Sequence, residues 1–274
     1  GLSSHELNQP GTYQDVTDTT ITAQFEAVAE TLPEFLRVNA GPVYFLAWTT
    51  TPWTLPSNTA LTVGRNIDYV LVKTYNQYTF APIQVVLAKA LVAKQFAGKY
   101  EAVEDEMEVP EFSPEQKKIP FKIIGEFKGE QVVGVRYTQL LQYALPCDQP
   151  ENAFRIIAGD FVTTEDGTGI VHTAPTFGAD DMMAAQAATP PVPPMLVLDE
   201  HGNRVPLVDL QGRFRPELKE LAGKYVKNEY YDAGTAPERS VDVEIAIRLK
   251  EENKAFKVEK YTHSYPNCWR TDKP

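Results

Sequence analysis

A chain of 274 residues with 43% hydrophobic content, 13 Tyr, 13 Phe and 3 Trp has enough apolar surface for a large core; this excludes a disordered protein and leaves one elaborate domain or two small ones. A formal charge of −11 argues against a stand-alone nucleic-acid binder, because Lys and Arg neutralising phosphates supply most non-specific affinity, so any RNA contact must be local or assisted by another domain. No apolar run approaches the ~20 residues that span a bilayer, the N-terminus lacks a secretory pattern, and Cys147 and Cys268 make no disulfide framework; a cytoplasmic protein with free thiols and no membrane partner is expected.

The opening segment to about Asp18, rich in Ser, Asn, Gln, Gly and Pro, reads as a connection, and the alternation from Thr19 to Val28 predicts a strand. Val43–Trp48 is a short apolar run of the buried-strand type, and it delivers the chain directly to Thr49. Leu61–Val63 and Tyr69–Lys73 predict strands around a turn at Gly64. Apolar residues at Val85, Leu87, Ala88, Leu91, Val92 and Phe96 are spaced as on a helix, so a helix is expected over Gln84–Phe96, with Gly98 ending it. Acid concentrates in Glu101–Glu108.

Further along, Ile119–Phe127 and Gln131–Val135 predict strands around a Gly129-Glu130 turn, and Arg155–Ala158 another. Phe161–Thr164 and Thr168–Thr173 are expected to pair as a hairpin across Glu165-Asp166-Gly167. Ala179–Ala188 has helix-forming composition with Asp180 and Asp181 at its positive end. After the proline-rich stretch 190–194, Met195–Leu198 predicts a strand, Pro216–Tyr225 and Ser240–Asn253 helices, and Phe256–Tyr261 a closing strand. Many short strands with few helices make this an α+β chain, β-barrel-like with peripheral helices and β-ribbon connections, rather than a doubly wound parallel sheet. It is read as a single domain over 1–274, with a globular core at about 40–260 and connecting segments at 1–18 and about 260–274.

Three blocks carry chemistry. The first, Trp48-Thr49-Thr50-Thr51-Pro52-Trp53-Thr54-Leu55-Pro56-Ser57-Asn58, sets four threonine hydroxyls among two tryptophans on backbone fixed by two prolines. That suits a small rigid pocket; taken singly, a threonine run is also an ordinary sheet edge. The second, Gly167-Thr168-Gly169-Ile170-Val171-His172-Thr173-Ala174-Pro175, brings an imidazole, which at a strand end is also a common structural residue. The third is Asp180-Asp181, equally readable as the charged first turn of a helix. No Gly-x-Ser-x-Gly elbow, phosphate-binding glycine loop or Cys-His pair is present.

Together the three blocks closely resemble the editing domain inserted into the catalytic core of isoleucyl-tRNA synthetases, and the resemblance runs over essentially the whole chain. Valyl- and leucyl-type editing domains carry an arginine and an acidic residue where Thr51-Pro52-Trp53 stands, so the isoleucyl type is preferred. The resemblance implies hydrolytic proofreading of valyl-tRNA(Ile), and of valyl-adenylate, in a pocket that admits valine and excludes isoleucine. It implies that Trp48, Thr49, Thr50, Thr51, Trp53 and Thr54 line the pocket, that His172 completes its wall and that Asp181 takes the substrate's α-ammonium. Thr50, Asn58, His172 and Asp181 are the candidate catalytic residues, with Asn58 supporting the terminal adenosine or a water. The implied partners are the 3′ end of tRNA(Ile) carrying valine, valyl-adenylate and the catalytic core of a parent synthetase.

No cofactor is implied, and ATP binding would belong to the full-length enzyme, since the His-Ile-Gly-His and Lys-Met-Ser-Lys-Ser signatures of class I aminoacylation are missing. The chain departs from the common bacterial pattern at Thr176-Phe177-Gly178, where Gly-His-Gly is more usual. Some relatives have a second cysteine where Thr271 stands; with Cys268 alone, no zinc site is expected. The residues do not reveal the general base. A non-catalytic β-rich module binding RNA or protein, and an editing domain for another aliphatic amino acid, remain open as alternatives.

Overall fold

The computed structural model describes residues 13–103, 109 and 111–266. Most of the opening connecting segment, the acid run at 104–108 and the Cys268 half-site lie outside the described residues. Ten strands build one large sheet: β1 (Tyr13–Glu26), β2 (Val43–Thr49), β3 (Ala60–Val63), β4 (Asp68–Tyr75), β5 (Pro82–Ala88), β6 (Tyr100–Ala102), β7 (Ile119–Lys128), β8 (Arg155–Ala158), β9 (Ile170–Thr173) and β12 (Ala255–Pro266). Their order is β6-β7-β4-β5-β2-β9-β3-β8, with β1 on β2 and β12 on β1. β10 (Leu196–Leu198) and β11 (Arg204–Pro206) form a separate hairpin. The helices are α1 (Val92–Gln95), α2 (Ala179–Ala187) and α3 (Val241–Glu251). The α+β expectation holds, but among the described residues the strand order does not close into a barrel. No helix there is long and apolar enough to cross a membrane.

Both faces of the sheet are covered. Phe45, Leu71 and Val86 point into the larger core with Phe25, Leu61 and Ile156, while Leu46, Val70, Val72, Val85 and Leu87 point into a second with Phe96 and Phe256. This corrects the helix expected over Gln84–Phe96. Residues 83–88 are all buried because β5 lies between β4 and β2, and an interior strand covered on both faces, here apolar but for Gln84, lacks the alternation of a half-buried one. Only Val92–Gln95 is α-helical.

Two other predicted strands are absent. Gln131–Val135 begins within a 3-10 turn over Gly129–Val132, and Phe161–Thr164 forms no strand. The expected hairpin is instead a splice. β2 pairs along Val43–Phe45 with β5 and then, at Trp48, with Val171 of β9. Thr168 fills the changeover, its hydroxyl donating to Leu46 O at 2.6 Å and its carbonyl accepting from Ala88 N at 2.7 Å. Gly169 has φ +77°, and a Cβ there would lie 2.5 Å from Ala88 Cβ, so the splice requires glycine. Over Pro216–Tyr225 the chain forms 3-10 turns to Leu221 rather than a full helix.

Candidate active site

The end of β2 is placed by the splice. Because its outer edge passes from β5 to β9, Thr49 emerges beside the strand that carries His172. Threonine then shapes the exit. Thr51 N donates to Thr49 Oγ1 at 3.1 Å, and Thr54 Oγ1 donates to Thr51 O at 2.9 Å. Thr51 Oγ1 lies 3.3 Å from Thr49 Oγ1 and 3.4 Å from Thr54 Oγ1. Side-chain hydroxyls thus satisfy the backbone that leads into the 3-10 helix Pro52–Ser57, and Pro52 suits its first position, where an N–H is dispensable. Thr49 and Thr54 are buried, Trp48 is partly exposed against Gly167, and Thr50 faces solvent.

His172 joins this network from the other side, and the proton order can be worked out. Tyr137 is buried, and its hydroxyl donates to Asn58 Oδ1 at 2.5 Å, which fixes the amide's oxygen. The amide nitrogen therefore faces Ala60 O at 2.9 Å and His172 Nδ1 at 2.8 Å, and it donates to both. Nδ1 must then be the acceptor, so Nε2 carries the ring proton and donates to Thr54 Oγ1 at 2.9 Å. A single directed chain runs from Tyr137 through Asn58, His172 and Thr54 to Thr51. His172 is only 9% exposed, and burial depresses its pKa to about 4, so the ring is neutral at physiological pH.

Asp181 stands in the first turn of α2. Its Oδ2 accepts from Ala174 N at 2.9 Å, which ties it to the segment two residues after His172. Burial pushes its pKa up, the Ala174 N–H pulls it back, and Asp180 pushes it up further. A Cβ on Gly178 would lie 3.2 Å from the Asp181 carboxyl, so glycine leaves this side chain its room. Phe177, in the segment that departs from the common pattern, meets Trp53 edge-on at 5.1 Å and 71°. That contact locks the loop before α2 onto the threonine segment. Asp180 is exposed at the helix start.

Beside Thr50, Thr51 and Trp53 opens a cavity of about 970 Å³, closed by Tyr225, Tyr230 and Asp242; His172 and Asp181 are not among its lining residues. Of the residues picked out in the sequence, Thr49, Thr51, Thr54, Asn58 and His172 share one hydrogen-bonded unit. Asp181 joins through Ala174 and the Phe177–Trp53 contact, and Thr50 and Trp53 face the cavity. Every polar atom of the Asn58 side chain is engaged within the protein, by Ala60, His172 and Tyr137.

Sequence reasoning missed two residues. Tyr137 sits on a loop with no motif around it, and Asp242 looks like any acid in the first turn of a predicted helix. Asp242 Oδ1 accepts from Trp53 N at 2.9 Å, and burial raises its pKa to about 7. No cluster of His, Cys, Asp and Glu able to hold a metal occurs among the described residues.

No family model matches the chain. It is 55% identical, over its full length, to the isoleucine–tRNA ligase of Cytophaga hutchinsonii and 51% identical to that of Bacteroides fragilis. It spans about a quarter of the length of these curated relatives, 24% in each case. The isoleucine–tRNA ligase of Porphyromonas gingivalis matches likewise, at 49% identity over the whole chain and 24% of that protein. Among solved structures the fold is similar to GlLeuRS-CP1, with a TM-score of 0.52 at 13% identity over 90% of this chain and 100% of the other. The chain belongs to the isoleucine–tRNA ligase family, over a segment whose fold is similar to that of GlLeuRS-CP1.

Proposed function

We propose that this chain hydrolyses the ester of valyl-tRNA(Ile), and the mixed anhydride of valyl-adenylate, in a pocket formed by Thr49, Thr50, Thr51, Trp53, His172 and Asp181. The problem to be solved is that one methylene in an apolar pocket is worth only ~1–3 kcal/mol, a limit for which isoleucyl-tRNA synthetase is itself the usual example. A second site that admits the smaller side chain and rejects the larger can work by steric overlap, which a rigid wall enforces better than a yielding one.

The observation that carries this reading is the directed hydrogen-bond chain from Tyr137 to Thr51. It holds an imidazole neutral and immobile beside the threonines, as a size-excluding wall needs. Asp181 keeps one oxygen, Oδ1, without a partner among the described residues, and a carboxylate so placed can take an α-ammonium by charge-assisted hydrogen bonds. The proton order also limits the chemistry. Both ring nitrogens of His172 are occupied, and Thr54 Oγ1 accepts the hydrogen bond from Nε2 while donating its own hydrogen to Thr51 O, so this pair cannot work as nucleophile and base. Direct attack of water on the ester carbonyl follows, with the free hydroxyl of the terminal ribose orienting that water. Thr50, exposed, and Thr51, half-buried, both border the cavity and are the threonines available to the substrate. The 3′ end of tRNA(Ile) and the catalytic core of a parent synthetase are the partners, and the cytoplasm is the compartment.

Calorimetry with non-hydrolysable amide analogues of valyl- and isoleucyl-adenosine tests the pocket. The valyl analogue is expected to bind at least tenfold tighter than the isoleucyl one and to lose that binding in Asp181→Ala. Equal binding of the two analogues overturns the proposal.

A further inference from the structure

The start of the threonine segment's helix is held from outside the segment. Pro52 has no N–H, and Thr51, the N-cap of the 3-10 helix, gives it no side-chain hydrogen bond. The first amide the helix offers is Trp53 N–H, and its acceptor is Asp242 Oδ1, 189 residues further along the chain in the first turn of α3. That helix has its own cap, since Ser240 Oγ accepts from Val243 N at 3.2 Å. Asp242 is therefore not spent on the helix it belongs to. Its Oδ1 goes instead to the start of the threonine segment's helix, where an amide is otherwise without an acceptor.

The surroundings make this carboxylate sensitive. Asp18 comes from β1, Lys260 from β12, Lys227 and Glu229 from the segment before α3, and Glu238 from its approach, all bordering the same cavity. Of these, Asp18 and Glu229 oppose ionisation of Asp242 and Lys227 favours it, while burial opposes it most.

We infer that Asp242 is a positioning residue of the site, whose ionised carboxylate holds the Trp53 amide and thereby sets Thr50 and Thr51 at the mouth of the cavity. Only its effect on hydrolysis rests on the function proposed above; the brace itself does not. With its pKa raised to about 7, the carboxylate is about half protonated at neutral pH, and protonation weakens its hold on the N–H. The threonine segment is thus coupled to pH through the Asp242 carboxylate.

The test is amide NMR on the 15N-labelled 274-residue chain between pH 5.5 and 8.5, with valyl-tRNA(Ile) hydrolysis measured on the same samples. In the wild-type chain the Trp53 amide proton is expected to titrate with a midpoint near 7, and Thr50 and Thr51 to follow it. Asp242→Asn, a neutral isostere of the protonated carboxyl, keeps an oxygen to accept the N–H, so it is expected to abolish that titration and hold Trp53 near its low-pH position at every pH. Asp242→Ala is expected to shift all three amides and to lower kcat at least tenfold with little change in KM. A Trp53 titration that persists in Asp242→Asn overturns the inference, as do unmoved Thr50 and Thr51 amides in a folded Asp242→Ala. If the wild-type chain titrates as described yet hydrolyses nothing, the brace stands and the proposed function fails.

Discussion

Deleting the Tyr137 hydroxyl asks whether the chain from Tyr137 to Thr51 acts as a unit. The ring is held edge-on by Phe25 at 5.4 Å and Phe154 at 6.2 Å, so Tyr137→Phe removes one oxygen and preserves the packing. It leaves Asn58 Oδ1 buried without a donor, which costs ~1–3 kcal/mol, or ~2–4 °C of Tm per kcal/mol in a domain of this size. Thr54→Val, at the other end, takes away the acceptor of the His172 Nε2 proton and has a similar cost. Between them lie only Asn58 and His172. Once Asn58 is released the ring is free to lose its bond to Thr54, so the second deletion costs less than it would alone. A coupling of ~0.5–2 kcal/mol is expected from urea denaturation of the wild-type, single and double variants. Costs that add to within ~0.3 kcal/mol refute the unit, and with it the argument that fixes which nitrogen of His172 carries the proton.

His172 and Asp242 have opposite pH signatures. His172 is neutral when folded and protonates below pH 6.5 when unfolded, so its environment lowers stability as pH falls from about 6.5 towards 4, by at most ~3 kcal/mol. Its ring 15N shifts are expected to report the neutral Nε2–H form throughout pH 5–8. Asp242, raised from 3.8 to about 7, binds its proton more tightly when folded, so its contribution is full below about pH 4 and is lost as pH rises through 7. The difference in urea stability between Asp242→Asn and the wild-type chain should therefore grow between pH 4 and 7, by about 2 kcal/mol after allowance for its partial exposure. Gly169→Ala places a Cβ 2.5 Å from Ala88 at a positive φ, and it is expected to cost ~2–4 kcal/mol in the same assay by prying β5 from Thr168.

What the sequence could carry depended on how local the cause was. β2, β3, β4 and β8, and helices α2 and α3, have their signals within their own residues: apolar runs, turn glycines, acids in a first turn and a serine cap at Ser240. The strand at 82–88 carries a helix-like spacing because burial on both faces erases the alternation that marks a strand. The Gly-Thr-Gly segment has the composition of a hairpin turn, yet its form is set by the change of partner along β2, which involves Leu46 and Ala88 from distant parts of the chain. At the site, the threonine block, His172 and Asp181 stood out by composition. Tyr137 and Asp242 did not, because each acts through one hydrogen bond to a residue far away in sequence, at separations of 79 and 189 positions. Asn58 stands out by its place in the block, but two of its three bonds, to His172 and Tyr137, come from distant residues that no local pattern encodes.

The most direct test of the central claim is the deacylation of valyl- and isoleucyl-tRNA(Ile) by the 274-residue chain, with Asp181→Ala and an enzyme-free control alongside. The account predicts that valine is released at least tenfold faster than isoleucine, and that this release falls to the control rate in Asp181→Ala. Equal release of the two amino acids, or valine release undiminished in Asp181→Ala, would contradict it.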